Sequence, residues 1–224
     1  MSFKTFQART IQGDINLPGD KSISHRALIL AAIAEGNTYI KGLLESDDCL
    51  HTLNIFQQLG VEIRKNEEGI YRVEGVGLYG LKEAQDILYC GNSGTTARLL
   101  TGLLAGQKFY SVLTGDKYLN TRPMDRVIIP LEKMGARIWS RQDKYLPLSI
   151  KGSQLSGINY KLPVASAQLK SALLLAALYA QGELKITEPE YSRDHTERML
   201  QAFGVKLEIR GKEISINNTG ELKL

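Results

Sequence analysis

The sequence predicts a mixed α/β fold made of three copies of one unit, each a strand, a helix, a strand, a second helix and a closing pair of strands. Three observations carry this. Lys21-Ser22 leads to Arg26-Ala27-Leu28, Asn92-Ser93-Gly94-Thr95 to Arg98-Leu99-Leu100, and Ser166-Ala167-Gln168 to Lys170-Ser171-Ala172-Leu173, so a polar turn opens an apolar helical run three times. Each run meets a glycine, Gly36, Gly106 or Gly182, and each second helix ends on a similar triplet: Leu59-Gly60-Val61, Met134-Gly135-Ala136 or Phe203-Gly204-Val205. Alternating apolar residues then mark a hairpin, as in Ile63 to Val73 and Val205 to Ile216. A unit of about seventy residues cannot bury its own apolar faces, so the copies must pack against one another.

The elements follow in order. In the first copy, residues 10–77, Asp14 to Leu17 reads as a short strand, Pro18-Gly19 breaks it, and Ala27 to Ile33 is helical. The second copy, residues 78–153, places a helix over Thr96 to Leu104 and another from Asp125 to Met134. The third, residues 154–220, has a helix over Leu169 to Ala180 and one reaching Phe203, with Asp194 placed to cap it. The runs Ala27 to Ala34, Thr96 to Leu104 and Leu169 to Ala180 are apolar almost all round, which predicts three buried helices with small sheets outside. No Pro/Ser-rich or highly charged stretch separates the copies, so one compact domain is expected.

Composition narrows the function. Among 224 residues, 43% are apolar, enough for a proper core, and 23% are charged, which argues against disorder. A net charge of +4 and 7% aromatics argue against a nucleic-acid binder and leave room for a local cationic pocket that attracts acidic metabolites. Cys49 and Cys90 lack metal-site or disulfide spacing and read as reduced core residues. Met1-Ser2-Phe3-Lys4 carries no apolar signal region, and no apolar run reaches membrane-spanning length, so a cytoplasmic location without membrane contact is expected.

Chemistry concentrates where the apolar helices begin. Lys21, Ser22 and Arg26 cluster at a helix start, where backbone N–H groups and the helix dipole favour phosphate or carboxylate; a capped helix with two solvated cations is the plainer reading. Gly91 and Gly94 within Cys90-Gly91-Asn92-Ser93-Gly94-Thr95 let a backbone approach an anion closely. Arg98 lies inside the helix, where a structural or supporting role is expected. Arg122 stands in a Pro-bounded loop, by itself a solvated charge. Ser166 is an N-cap candidate before Ala167 and Gln168, and Asp194-His195 reads as a polar helix start. His25 and His51 have no partner pattern and read as structural.

These stretches resemble known signatures. Pro18 to Arg26 with Leu43-Leu44-Glu45-Ser46-Asp47-Asp48, the turn around Gly94, Thr114-Gly115-Asp116 with Arg122-Pro123-Met124, Ser166-Ala167-Gln168, and Tyr191-Ser192-Arg193-Asp194-His195-Thr196-Glu197 are similar to segments of the 5-enolpyruvylshikimate-3-phosphate synthases. The resemblance implies an inside-out α/β barrel domain of the enolpyruvyl transferase type, with three βαβαββ repeats. It implies that Lys21, Ser22, Arg26, Ser166, Ala167, Gln168 and Arg193 bind shikimate 3-phosphate, that Lys21, Gly94, Arg122 and Gln168 bind phosphoenolpyruvate, and that Lys21 is catalytic. Many members carry a second serine where Ala167 stands, so only a backbone contact carries over there. A glycine at position 94, rather than alanine, implies a glyphosate-sensitive pocket. No metal or organic cofactor is implied.

Members of that family are about twice as long, and the resemblance covers their first half. It implies that residues 19–224 form the shikimate 3-phosphate-binding domain and that residues 1–18 contribute to the other domain. The expected partner is a complementary C-terminal domain carrying the acidic residue, the lysine-glutamate pair and the further arginines that have no counterpart here. The chain by itself is then expected to show no turnover. Two alternatives stand beside this reading. A UDP-N-acetylglucosamine enolpyruvyl transferase is disfavoured by Ser22, where asparagine is usual, and by the absence of a cysteine between Thr114 and Arg122. A non-catalytic domain that binds anionic metabolites remains open.

Overall fold

The apolar runs become the interior. The computed structural model describes residues 2–7, 10, 12–15 and 17–217. Helix α1 (Lys21–Ile33) leads into β1 (Glu35–Ile40), α2 (Asp47–Gln58), β2 (Glu62–Lys65) and β3 (Tyr71–Val76). The second unit runs β4 (Leu88–Tyr89), α3 (Gly94–Ala105), β5 (Tyr110–Thr114), α4 (Asp125–Lys133), β6 (Arg137–Arg141) and β7 (Tyr145–Lys151), with a 3-10 turn at Leu119–Thr121. The third runs β8 (Leu155–Ser156), β9 (Asn159–Lys161), α5 (Ala167–Ala177), β10 (Ala180–Gln181), β11 (Glu183–Thr187), α6 (His195–Ala202), β12 (Leu207–Arg210) and β13 (Glu213–Asn217).

Helices α1, α3 and α5 are buried along almost their whole length, as their all-round apolar pattern predicts. Helices α2, α4 and α6 bury one stripe each and pack against them. Three small sheets, ordered β1-β3-β2, β4-β5-β7-β6 and β12-β13-β11-β9, lie outside, their strands alternating between helix-facing and solvent-facing residues. In the second and third sheets the leading strand joins in parallel, β4 beside β5 and β9 beside β11, while β8 and β10 form a separate parallel pair.

The repeated glycine triplet has one structural cause. Gly60, Gly135 and Gly204 take φ of +89°, +100° and +84°, and the next residues, Val61, Ala136 and Val205, donate N–H bonds of 3.0, 3.0 and 2.9 Å back to Phe56, Leu131 and Leu200. This left-handed closure satisfies the last carbonyls of α2, α4 and α6 and turns the chain into the hairpin.

Three expectations are corrected. Asp14 to Leu17 forms no strand among its described residues: Ile15 and Leu17 are 81% and 84% exposed, so no apolar face here covers them, and the first sheet keeps three strands where the others have four. Helix α5 stops at Ala177 instead of Ala180, since Leu178 and Tyr179 tighten onto Leu175 and Ala176 and the chain turns into β10. Asp194 holds the N-cap position of α6, yet its side chain makes no capping bond, with only its carbonyl receiving the N–H of Arg198. The last residues of the third copy, 218–220, lie outside the described residues.

Helices α3 and α5 approach most tightly at Gly102, where an added Cβ would fall 2.1 Å from the carbonyl oxygen of Ala172. Gly102→Ala is therefore expected to lower stability by about 1–3 kcal/mol despite alanine's better helix propensity. Urea unfolding checks this through a lower midpoint at unchanged slope.

Candidate active site

Helices α1, α3 and α5 begin at one end of the domain, and a chain of polar contacts joins their first turns. Gln168 of α5 donates to Thr95 of α3 (2.9 Å), the Thr52 and Thr96 hydroxyls of α2 and α3 lie 2.7 Å apart, and Arg26 of α1 donates to Ser171 of α5 (2.7 Å). Side chains cap these helices. Asp20 accepts from the N–H of Ile23 (2.8 Å), Ser93 from Thr96 (3.1 Å) and Ser166 from Leu169 (3.3 Å).

The cap on α1 corrects one expectation. The Asp20 carboxylate occupies the positive pole that was expected to lie open to an external anion. Its bonds to the backbone N–H groups of Ile23 and Ser22, with smaller help from His195 and Arg193, hold its pKa below the usual carboxylate value. Positive charge at α1 is therefore offered by side chains more than by backbone. Lys21 Nζ lies 3.1 Å from Asp48 Oδ2 in a half-exposed ion pair. The Ser22 hydroxyl receives a bond of 3.1 Å from Arg193 Nη1, which brings two sequence-predicted residues together from opposite ends of the chain.

Arg26 lies largely buried at this end of α1. It is 4% exposed, and each guanidinium nitrogen is engaged inside the protein: Nε with Thr196, Nη1 with the Ser22 carbonyl (2.9 Å) and Nη2 with Ser171. Burial lowers its pKa to about 10, Glu197 opposing, so it stays charged at neutral pH beneath Ser22.

A second cluster forms around α3. Arg122 donates to the Asn92 side chain and, at 3.4 Å, to its carbonyl, and a Cβ on Gly94 would lie 3.6 Å from Arg122 Nη1. That same Cβ would lie 2.6 Å from Arg98 Nη1, so glycine leaves room for both guanidinium groups. Arg98 holds the Gln168 carboxamide oxygen (3.0 Å) and the Pro123 carbonyl (3.1 Å), the supporting role its helical position implies. Burial, then the charges of Arg122 and Arg126, lower its pKa, with Asp125 opposing. A cavity of about 290 Å³ opens here, lined by Arg98, Pro123, Arg126, Ser166 and Gln168. Crowded cations beside an open cavity form a setting for a multiply charged anion.

The structure thus gathers Lys21, Ser22, Gly94, Arg122, Ser166, Ala167, Gln168 and Arg193 at one end and sets Arg26 below them. Asp48, Asn92 and Arg126 were missed by sequence reasoning. For Arg98, its place inside the helix was the signal that pointed toward a supporting role. A larger cavity of about 680 Å³ lies at the far end, between Gln107, Lys108, Gln154 and Tyr179, away from every recognised motif. Cys49 and Cys90 are free and buried, and no cluster of potential metal-binding residues occurs among the described residues. Nor is any helix among them long and apolar enough to cross a membrane.

Buried helices within, sheets without, and cationic and hydroxyl side chains at the common helix starts define a domain of the enolpyruvyl transferase type. Residues 6–224 match the family model described as EPSP synthase (3-phosphoshikimate 1-carboxyvinyltransferase), and the chain belongs to that family. It is 53% identical to the 3-phosphoshikimate 1-carboxyvinyltransferase of Geotalea uraniireducens, over 93% of this chain and 50% of that one. The protein of the same name from Brevibacillus brevis is 51% identical, over 97% and 51%. A solved structure of EPSP synthase from Acinetobacter baumannii superposes with a TM-score of 0.91 at 51% identity, covering 94% of this chain and 48% of that one. The chain spans about half the length of these relatives.

His25 links this polar floor to pH. It is fully buried, its Nδ1 lies 2.8 Å from the Thr52 hydroxyl, and burial lowers its pKa to about 4, Asp48 opposing. The unfolded chain then binds more protons between about pH 6.5 and 4, so stability present above that window is lost as pH falls through it, to the extent of about 3 kcal/mol. A His25→Gln chain should lose about that much less than the unaltered chain between pH 7 and 4, as measured by urea unfolding.

Proposed function

We propose that this chain is the N-terminal, shikimate 3-phosphate-binding half of a 3-phosphoshikimate 1-carboxyvinyltransferase. The supporting observation is the meeting of Lys21, Ser22 and Arg193 with Gln168 and Arg122 at the common starts of three buried helices. Shikimate 3-phosphate rests on Lys21, Ser22, Ser166, the Ala167 backbone, Gln168 and Arg193, with the buried charge of Arg26 beneath. Phosphoenolpyruvate lies toward Gly94 and Arg122, shared with Lys21 and Gln168, and glyphosate competes for that position.

In the reaction the 5-hydroxyl of shikimate 3-phosphate gives its proton to the acidic residue of the complementary half, and its oxygen bonds to carbon two of phosphoenolpyruvate as the methylene carbon takes up a proton. Loss of inorganic phosphate and of one proton from the methyl group so formed then restores the enol double bond in the product. Lys21 stands between the two substrates, where an ammonium stabilises charge developing on the phosphate and holds a proton within reach. Charged contacts of this kind gain strength as the cleft loses water. The complementary half supplies the remaining acid, base and arginine groups, so the chain alone binds without turning over. Residues 1–18 belong with that half, in keeping with Phe3, Phe6, Ile15 and Leu17 being more than four-fifths exposed here. The pathway is that of aromatic amino-acid biosynthesis, and its setting is the cytoplasm.

Calorimetric titration with shikimate 3-phosphate tests this reading. The unaltered chain should bind, and a chain with Lys21→Ala and Arg193→Ala should bind about a hundredfold more weakly or not at all, since two charge-assisted contacts are lost. Equal affinity in the two chains would overturn the assignment. Adding the complementary half should restore product formation, whereas robust turnover by the chain alone would contradict the division of labour.

A further inference from the structure

Lys170 lies on α5, one turn in from its start, and is 1% exposed. An ammonium this deep loses its hydration, which costs several kcal/mol unless close carboxylates replace the water. Two do so: Glu188 Oε2 at 2.8 Å and Glu197 Oε1 at 2.6 Å, both nearly fully buried. With Arg26, whose pKa Glu197 raises, the group contains two cations and two anions and is electrically balanced. Pairs of this kind seldom stabilise a fold more than apolar residues of the same size. Their value lies in what they hold in place.

Here they hold both ends of one irregular segment. Glu188 directly follows β11 and opens the stretch 188–194, which has no regular secondary structure; Glu197 stands in the first turn of α6, just past its close. The second oxygen of Glu188 accepts the Ser192 hydroxyl, and the next residue, Arg193, reaches Ser22. On the outer side, Lys212 binds the Pro189 carbonyl (2.7 Å) and Glu190 (3.0 Å). One buried ammonium therefore fixes where an exposed arginine stands.

We infer that Lys170, with Glu188 and Glu197, is a positioning cluster that sets the Arg193 segment over Ser22 and thereby governs affinity for the phosphate-bearing substrate without touching it. This rests on the function proposed above. The test compares the 224-residue chain with Lys170→Met, Arg193→Ala and the double variant, by titration with shikimate 3-phosphate and by amide hydrogen exchange across residues 189–194 without ligand. Lys170→Met should speed exchange in that segment at least tenfold and weaken binding about tenfold. In the Arg193→Ala background it should weaken binding less than about twofold.

Additive losses in a folded protein, or exchange in the segment that is unchanged, would overturn the inference. Since Lys170→Met leaves two buried carboxylates without their cation, Ser192→Ala provides a second route that spares the cluster and cuts only its link to the segment. It should reproduce the same non-additivity with a smaller loss, about threefold, and no loss from it would count against the inference. A chain that binds no shikimate 3-phosphate refutes the function proposed above, while the exchange experiment still decides whether the cluster holds the segment.

Discussion

Three helices buried along their length carry most of their polar groups near their starts, and that constraint organises the molecule. Along their shafts close apolar contact dominates, to the point that α3 and α5 meet through a glycine, and the buried Thr101 hydroxyl turns back onto the Ala97 carbonyl. At their starts, N–H groups and side chains must find partners away from bulk water, so hydroxyls, amides and guanidinium groups link one helix to the next. A preorganised polar surface follows from burying the helices.

That surface divides into two kinds of cation. Arg26, Arg98 and Lys170 are committed to protein partners and fix geometry. Lys21, Arg122 and Arg193 are exposed, each tied by no more than one or two weakly shielded contacts, and can exchange those partners for a ligand. Charge that positions and charge that is offered are thus carried by different residues within a few side chains of each other.

Much of this was legible in the sequence because it rests on local rules. All-round apolar helices, glycine closures and hairpin alternation each depend on a few neighbouring residues, and all three appear in the structure. The candidate site residues rest on motif resemblance, which names residue types without saying which way they point. Hence Arg26, read as a ligand, turns inward, and Asp20, read as part of a turn, occupies the helix pole. The Lys170 cluster joins residues from α5, the segment after β11 and α6, and no short-range pattern announces it. The strand expected over Asp14 to Leu17 failed for the complementary reason: its alternation is genuine, but a strand needs a neighbour, and sequence alternation cannot supply one.

The Asp20 cap has a thermodynamic consequence. With the α1 pole already occupied, an anion docking at this end is held chiefly by the tips of long side chains, and fixing each lysine or arginine costs up to about 2 kcal/mol in rotamer freedom. Affinity built this way comes from heat released by charge-assisted bonds set against lost disorder, and it weakens on warming. A backbone cradle, rigid before the ligand arrives, has no such cost. The domain has in this sense exchanged rigidity for reach, since side chains that swing can follow a substrate as a cleft closes over it, which a fixed ring of amides cannot do.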